Sequence, residues 1–281
     1  MFERASIIVS TYNRPDALRR VVLELDRQSD RGFDVVVADD GSTEETRRTI
    51  DEVRRQVGYP LEHAWQEDRG FRAARARNLA VASSEGDYLI FLDGDCVPLH
   101  DFVAAHRWLA ERGWWVRGNR VYLGERFTAR VLEDDIDLAE WPLWRWWLAW
   151  VRRGAARATP FLRLRTELFR KRQPRRWQGG KTCNLGVWRD DFFRVDGLDE
   201  SFVGWGREDS DLVARLINAG VYRKEGRYTS PVVHLWHPHA ELSGYSANDA
   251  RLQQVIEEGI VRPRIGISCH FDGTEETASA G

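Results

Sequence analysis

The sequence predicts an α/β protein, a mixed but mainly parallel sheet with helices on both faces. Three observations carry this. Strand-like and helix-like runs alternate through the first hundred residues, the runs "ASIIVS" and "YLIFL" read as strands buried on both faces, and each strand ends in polar residues. In sheets of this kind ligands bind outside the carboxyl ends of the strands. Thr11, Tyr12 and Asn13 after the first strand, Asp39 and Asp40 after the second, and Asp93 and Asp95 after the fourth are therefore expected to line a site.

The elements follow in order. "ASIIVS" is a strand, and Pro15 to Ser29 is a helix with Leu18, Val21, Val22 and Leu25 at helical spacing. "FDVVVADD" is the second strand. It runs into Ser42, which with Glu45 forms a capping box that opens a helix to about Val57. "LEHAW" is a third strand, Phe71 to Ser83 a helix and "DYLIFLDGD" a fourth strand. Beyond residue 112, "WWVRGNRVYL" reads as a strand, Ala129 to about Arg172 as helical or irregular, and "CNLGVWR" as strand. Glu208 to Ala219 is a helix closed by Gly220, "PVVHLW" a short strand and Ser246 to about Val261 the last helix, before a frayed tail at 271–281. No linker demands two independent units, so residues 1–270 are expected to form a single domain.

Composition narrows the function. A chain of 281 residues with 42% hydrophobic residues can bury a large core, and a net charge of −2 gives no reason to expect a nucleic-acid partner. The charge is uneven, however. Between Arg145 and Lys181 twelve Lys or Arg face one acid, Glu167, a local basic belt suited to something anionic. Cys96, Cys183 and Cys269 have neither disulfide nor zinc-site spacing, which fits a reducing compartment. A strand starting near Ser6 leaves no room for a signal segment, so a cytoplasmic location is expected, with peripheral contact to a membrane left open.

Three stretches carry chemistry. In "FLDGDCVP", two carboxylates one residue apart leave a buried strand and can turn toward one divalent cation; a solvated turn is the plain alternative. In "VVHLWHPH", His234 and His237 are three apart, and a bend before Pro238 would bring both to one ion, although a single buried histidine is more often structural. Asp95, His234 and His237 together suit Mn²⁺ better than Mg²⁺. In "GWGREDSD", Trp205 lies between Gly204 and Gly206, and Glu208, Asp209 and Asp211 open a helix. Acids at a helix start are common, yet the Gly-Trp-Gly beside them offers a flat apolar face on which a sugar ring can stack while a hydroxyl is deprotonated.

"SIIVSTYNRP", "VVVADDGS", "QEDRGFRAARARN", "FLDGDCVP", "GLDESFVGWGREDSDL" and "HLWHP", in this order over roughly residues 5–240, resemble the inverting family 2 glycosyltransferases of GT-A fold. The C-terminal part is similar to the β-1,4-galactosyltransferase and chondroitin-polymerase type. The resemblance implies a GT-A, Rossmann-like fold with a nucleotide-binding half (1–112) and an acceptor-binding and catalytic half (113–270). It implies a UDP-sugar donor, with Thr11, Tyr12, Asn13 and Arg14 lining the nucleotide, Asp40 on the base or ribose, and Phe71 and Arg72 closing over it. Asp93 matches the first carboxylate of the DXD motif and Asp95 the second, the direct metal ligand. His237 matches the C-terminal ligand position, and His234 falls where some relatives place a second, non-histidine ligand. Asp209 matches the catalytic base. Glu208 and Trp205 would hold donor sugar and acceptor, with Gly206 beside them, and Gly179 and Gly180 would let backbone approach the sugars. The expected reaction moves a hexose or N-acetylhexosamine from a UDP-sugar, with Mn²⁺ or Mg²⁺, to a glycan or glycolipid, by analogy in bacterial surface polysaccharide or lipopolysaccharide synthesis.

Two other readings compete. A nucleotidyltransferase would need a glycine- and lysine-rich phosphate loop after the first strand, and "STYNRP" lacks it. A catalytically silent sugar- or nucleotide-binding module would not need Asp95 and Asp209, and both are present.

"WPLWRWWLAWVRR", residues 141–153, holds five tryptophans in its first ten positions, inside a Trp- and Arg-rich insertion at about 129–176. At helical spacing Trp141, Trp144, Leu148 and Val151 share one face with Trp147 beside them, while Trp146 and Trp150 point elsewhere. Core packing, an anionic membrane surface met through 141–176, an acceptor-stacking surface and an oligomer contact all remain open.

Overall fold

The computed structural model describes residues 2–238 and 245–271. The expected alternation is present: β1 (Ala5–Thr11), α1 (Pro15–Leu25), β2 (Phe33–Asp39), α2 (Glu44–Arg54), β3 (Leu61–Trp65), α3 (Ala73–Ala82) and β4 (Tyr88–Asp93). After it come β5 (Cys96–Pro98), α4 (Phe102–Leu109), β6 (Trp114–Arg117), β7 (Asn119–Tyr122), α5 (Glu125–Glu133) and α6 (Leu143–Val151). The last part holds β8 (Asn184–Trp188), α7 (Arg189–Arg194), α8 (Glu208–Asn218), β9 (Tyr222–Glu225), β10 (Pro231–His234) and α9 (Tyr245–Glu257). Most of the tail expected to fray, residues 272–281, lies outside the described residues.

Among the described residues the strands form two sheets. The larger has the order β3-β2-β1-β4-β8-β6-β9, and only β8 runs against the rest. Its faces are covered separately, as strand geometry dictates: Ile7 and Val9 pack with α1 and α2, while Ile8 turns to the side of α3 and α8. The smaller sheet, β5-β10-β7, is reached by chain segments that leave the larger one.

Those departures differ from the sequence reading. "WWVRGNRVYL" is two strands, β6 in the large sheet and β7 in the small one, separated by Gly118. The reason is a close approach. A Cβ on Gly118 would lie 2.0 Å from the side chain of Asn184, which is buried and donates to the backbone carbonyl of Ser230 at 2.7 Å. The chain makes the same change of sheet between β4 and β5, so Asp93 ends one sheet and Asp95 opens the other.

The expected capping box does not form. Thr43 occupies the N-cap of α2 without a side-chain bond, while Ser42 Oγ accepts from Asn13 N at 2.9 Å and Asn13 Oδ1 accepts from Thr43 N at 2.9 Å. Ser42 thus ties the loops after β1 and β2 together. The helix starting near Phe71 begins at Ala73, because Phe71 and Arg72 belong to a loop held on Asp40.

In the tryptophan segment the face shared by Trp144, Leu148 and Val151 is not the buried one. Trp146 is the buried residue, stacked on Phe161 with centroids 3.8 Å apart, whereas Trp144, Leu148 and Val151 are exposed and Trp141 is half-buried. The basic belt also divides. Arg170 is buried and donates to the carbonyl of Leu164 at 2.8 Å, and Lys171 pairs with Glu111 at 2.5 Å, so these residues hold the segment to the fold. No described helix is long and apolar enough to cross a membrane.

Candidate active site

The switch between sheets creates the site. β4 is wholly apolar up to Asp93, and Gly94, tied by its N–H to the carbonyl of Ser10 at 2.7 Å, turns the chain so that Asp95 points away from the large sheet. β10 pairs with β5 and β7, setting His234 opposite Cys96 and Tyr122. The bend after His234 returns His237 to the same place, with ring centroids 5.2 Å apart. His234 Nε2 lies 3.6 Å from Asp95 Oδ1 and His237 Nε2 lies 3.3 Å from Asp95 Oδ2.

These residues fit a divalent cation. One ligand atom from each of Asp95, His234 and His237 lies within 4.8 Å of the others, close to the span of about 4.4 Å that ligands on one small cation reach. His237 Nδ1 donates to the carbonyl of Pro238 at 2.7 Å, which leaves Nε2 as the free lone pair. Burial, with Arg120 and His237 nearby, lowers His234 to a pKa of about 4, so its imidazole is neutral and able to ligate at pH 7. Asp95 and Asp93 are both pushed up, chiefly by burial, and the Asp95 charge adds to the rise of Asp93, a repulsion that a dication relieves.

Asp93 has no part in that trio. Ser10 Oγ donates to it at 3.0 Å, and it lies between Arg77 at 3.4 Å and Arg120 at 3.5 Å. Arg77 is buried and spans the site. Its guanidinium also lies 3.4 Å from Glu208 and 4.0 Å from Asp209, so the Asp93 carboxylate and the two acids opening α8 share one cation. The helix start holds Glu208 and Asp209 in different states. Burial, then the neighbouring Asp209, raises Glu208 to about 7. For Asp209 burial also works upward, but Lys181 at 3.6 Å, Arg77 and the Thr182 hydroxyl, which donates at 2.6 Å, outweigh it and hold the carboxyl below the usual range. Asp209 is therefore ionised at neutral pH. Arg77, Arg120, Lys181 and Thr182 were missed by sequence reading. The quoted "RAARARN" contained the signal for Arg77, but only topology shows which arginine faces inward.

The remaining expected residues fall into two groups. Thr11, Asn13 and Asp40 cluster at the ends of β1 and β2, where Asp40 accepts from Arg72 N at 2.8 Å and Thr11 O accepts from Asp40 N at 3.1 Å. Tyr12 and Phe71 are exposed beside them, with Tyr12 donating to Asp68 at 3.0 Å. The Arg14 charge acts on Asp95. The Trp205 loop is joined to this group, because Gly204 N donates to the carbonyl of Phe71 at 3.1 Å. It is held from α9 as well: Asn248 Nδ2 donates to Gly206 O at 3.1 Å, and Asp249 pairs with Arg207 at 2.6 Å. Gly179 and Gly180 have reasons of their own. Gly179 has φ +81° and its carbonyl accepts from Arg117 at 2.7 Å, and a Cβ on Gly180 would lie 2.9 Å from Val213.

Residues 6–122 match the model of glycosyl transferase family 2, and residues 164–238 match that of the N-terminal domain of galactosyltransferase. The chain is 32% identical over 233 residues to validoxylamine A glucosyltransferase of Streptomyces hygroscopicus subsp. jinggangensis, a match covering 77% of this chain and 52% of that protein. It is 28% identical over 236 residues to hyaluronan synthase of Pasteurella multocida, covering 78% of this chain and 23% of the synthase. It thus spans about half or less of the length of these relatives. Among solved structures, GalNAc-T7 with UDP, GalNAc and Mn²⁺ aligns with a TM-score of 0.63 and 18% identity, over 90% of this chain and 48% of that one. At that identity the likeness speaks for the fold, which is GT-A.

Proposed function

The chain belongs to the family 2 glycosyltransferases, and from that premise we propose that the junction of its two sheets transfers a hexose or N-acetylhexosamine from a UDP-sugar to a hydroxyl of a glycan or glycolipid, with inversion, in surface-polysaccharide assembly. The observation that carries this is the pairing of a three-residue cation site, Asp95, His234 and His237, with an ionised Asp209 linked through Arg77 to Asp93.

Asp95, His234 and His237 would hold Mn²⁺, with Mg²⁺ less suited to the imidazoles, and the cation would offset the charge of the leaving diphosphate. The loops after β1 and β2 bind the nucleotide through Thr11, Tyr12, Asn13, Arg14 and Asp40, with Phe71 and Arg72 over it. Trp205 gives the sugars an apolar face, and Glu208 holds donor or acceptor. Asp209 takes the proton of the acceptor hydroxyl as that oxygen attacks the anomeric carbon, while the bond to the diphosphate breaks with its electron pair. The attack comes from the opposite face of the sugar, so an α-linked donor yields a β-linked product.

The test is release of UDP from a panel of UDP-Glc, UDP-Gal, UDP-GlcNAc and UDP-GalNAc with Mn²⁺, with and without saccharide acceptors. Turnover of at least one donor that stops on adding EDTA is expected. Binding of none of them would end the proposal, and activity untouched by EDTA would end its metal part.

A further inference from the structure

We propose that the exposed face of α6 docks on an anionic lipid bilayer. Only Trp146 and Ala149 of this helix are buried. Turning 100° per residue from Trp146, the helix next presents Trp150, Trp147, Val151, Trp144 and Leu148 over an apolar arc of about 160°, with the half-buried Leu143 between the first two packed on the core. All five are exposed, at 43%, 41%, 67%, 61% and 40% respectively. The turn that follows and packs on α6 adds an exposed Leu162. Single exposed apolar residues are ordinary on a protein surface, but a continuous face with three indoles is not.

Charge selects the occupant. Arg145, Arg152, Arg153 and Arg157 are exposed around this face, and none has a carboxylate partner among the described residues. Arg145 lies over the Trp144 ring at 5.4 Å. Trp147, Trp150 and Arg157, with Ala158 and Thr159, line a cleft of about 150 Å³. A second copy of the chain would bring like arginine rims together across a two-fold axis, which disfavours self-association through this face. A bilayer interface satisfies both features: indoles sit at the headgroup level and arginines meet anionic phosphates.

The face is fixed relative to the candidate cation site. Leu123 pairs with Ala155, Ala156 N donates to the carbonyl of Tyr122 at 2.9 Å, and the Tyr122 ring lies 4.8 Å from that of His234. Resting on the proposed function, the consequence is that the acceptor is a lipid-linked saccharide presented at the bilayer surface. The docking itself does not depend on that reading.

Co-sedimentation of the full chain with phosphatidylcholine vesicles containing about one-third phosphatidylglycerol tests it. Binding is expected, weaker on pure phosphatidylcholine, and reduced about fivefold for each arginine removed in Arg152→Ser and Arg153→Ser variants. Joint replacement of Trp144, Trp147 and Trp150 by Ser should abolish it, with circular dichroism checking the fold. Should that variant fold poorly, the arginine variants decide. No vesicle binding, or binding unchanged by both sets, would overturn the proposal, as would a concentration-dependent dimer lost in the tryptophan variant without vesicle binding. Vesicle binding with no turnover of any UDP-sugar would leave the docking standing and remove the proposed function.

Discussion

Replacing Asp209 by Asn isolates the proposed base with little structural cost. The Asn side chain has the same shape, and its carbonyl oxygen can accept the Thr182 hydroxyl bond, 2.6 Å long in the native protein. Lys181 loses its partner at 3.6 Å but is already substantially exposed and stays solvated. Arg77 keeps Asp93 and Glu208, each 3.4 Å away. What disappears is the basic lone pair held ready by Lys181, Arg77 and Thr182. Loss of a positioned general base costs roughly 10²- to 10⁴-fold in rate, or about 3–5 kcal/mol of transition-state free energy. Initial-rate UDP release should therefore show that drop in kcat, while the affinity for UDP with Mn²⁺ stays unchanged. Glu208→Gln would change KM more than kcat. If Asp209→Asn retained a tenth or more of the native kcat while Glu208→Gln lost it, the proton would be going to Glu208 and the reasoning from their opposite environments would fail.

Other consequences are accessible on the free protein. Gly118→Ala forces a Cβ to within 2.0 Å of the Asn184 side chain and displaces its bond to Ser230; the expected loss is roughly 3 kcal/mol, read by urea unfolding, and a loss under about 1 kcal/mol would contradict the packing argument. His106 is fully buried, which lowers its pKa to about 4 against a reference of 6.5. The unfolded chain takes up this proton first as pH falls, so the contribution is complete above pH 6.5 and is lost progressively toward pH 4, by about 3 kcal/mol. The difference in melting temperature between His106→Gln and the native protein should therefore narrow from pH 7 to pH 4.5, and a difference that is the same at both pH values would refute this. Burial raises Glu208 to about 7 from 4.5, so its contribution runs the other way, present below 4.5 and lost as pH rises through 7. Glu208→Gln should accordingly raise the melting temperature at pH 8, and a lowered one would argue against a carboxyl strained by burial.

The first half of the fold was legible because each element satisfies one rule by itself. β1, β2 and β4 are buried on both faces, and α1 carries its stripe at helical spacing. The site was legible in part for the same reason: Asp93, Asp95, Asp209, His234 and His237 all lie where strands or helices begin or end. What escaped depends on long-range neighbours. Gly118 divides a strand because Asn184, far along the chain, occupies the space of its Cβ. Ser42 leaves its helix cap because Asn13 competes for it. Periodicity identified the face shared by Trp144, Leu148 and Val151 but not which side of the helix meets the protein; Phe161, stacking on Trp146, decides that. Arg77 could not be distinguished from Arg72 and Arg75 until α3 turned it toward Asp93 and α8.

The central claim is that Asp95, His234 and His237 form a cation site serving a nucleotide diphosphate. Its most direct test is the affinity for UDP by calorimetry, with Mn²⁺ and with EDTA, in the native protein and in Asp95→Asn. Binding of UDP tightened by about tenfold or more in the presence of Mn²⁺, a coupling of about 1.4 kcal/mol that vanishes in the variant, is the predicted result. Equal UDP affinity with and without Mn²⁺ in the native protein would contradict it.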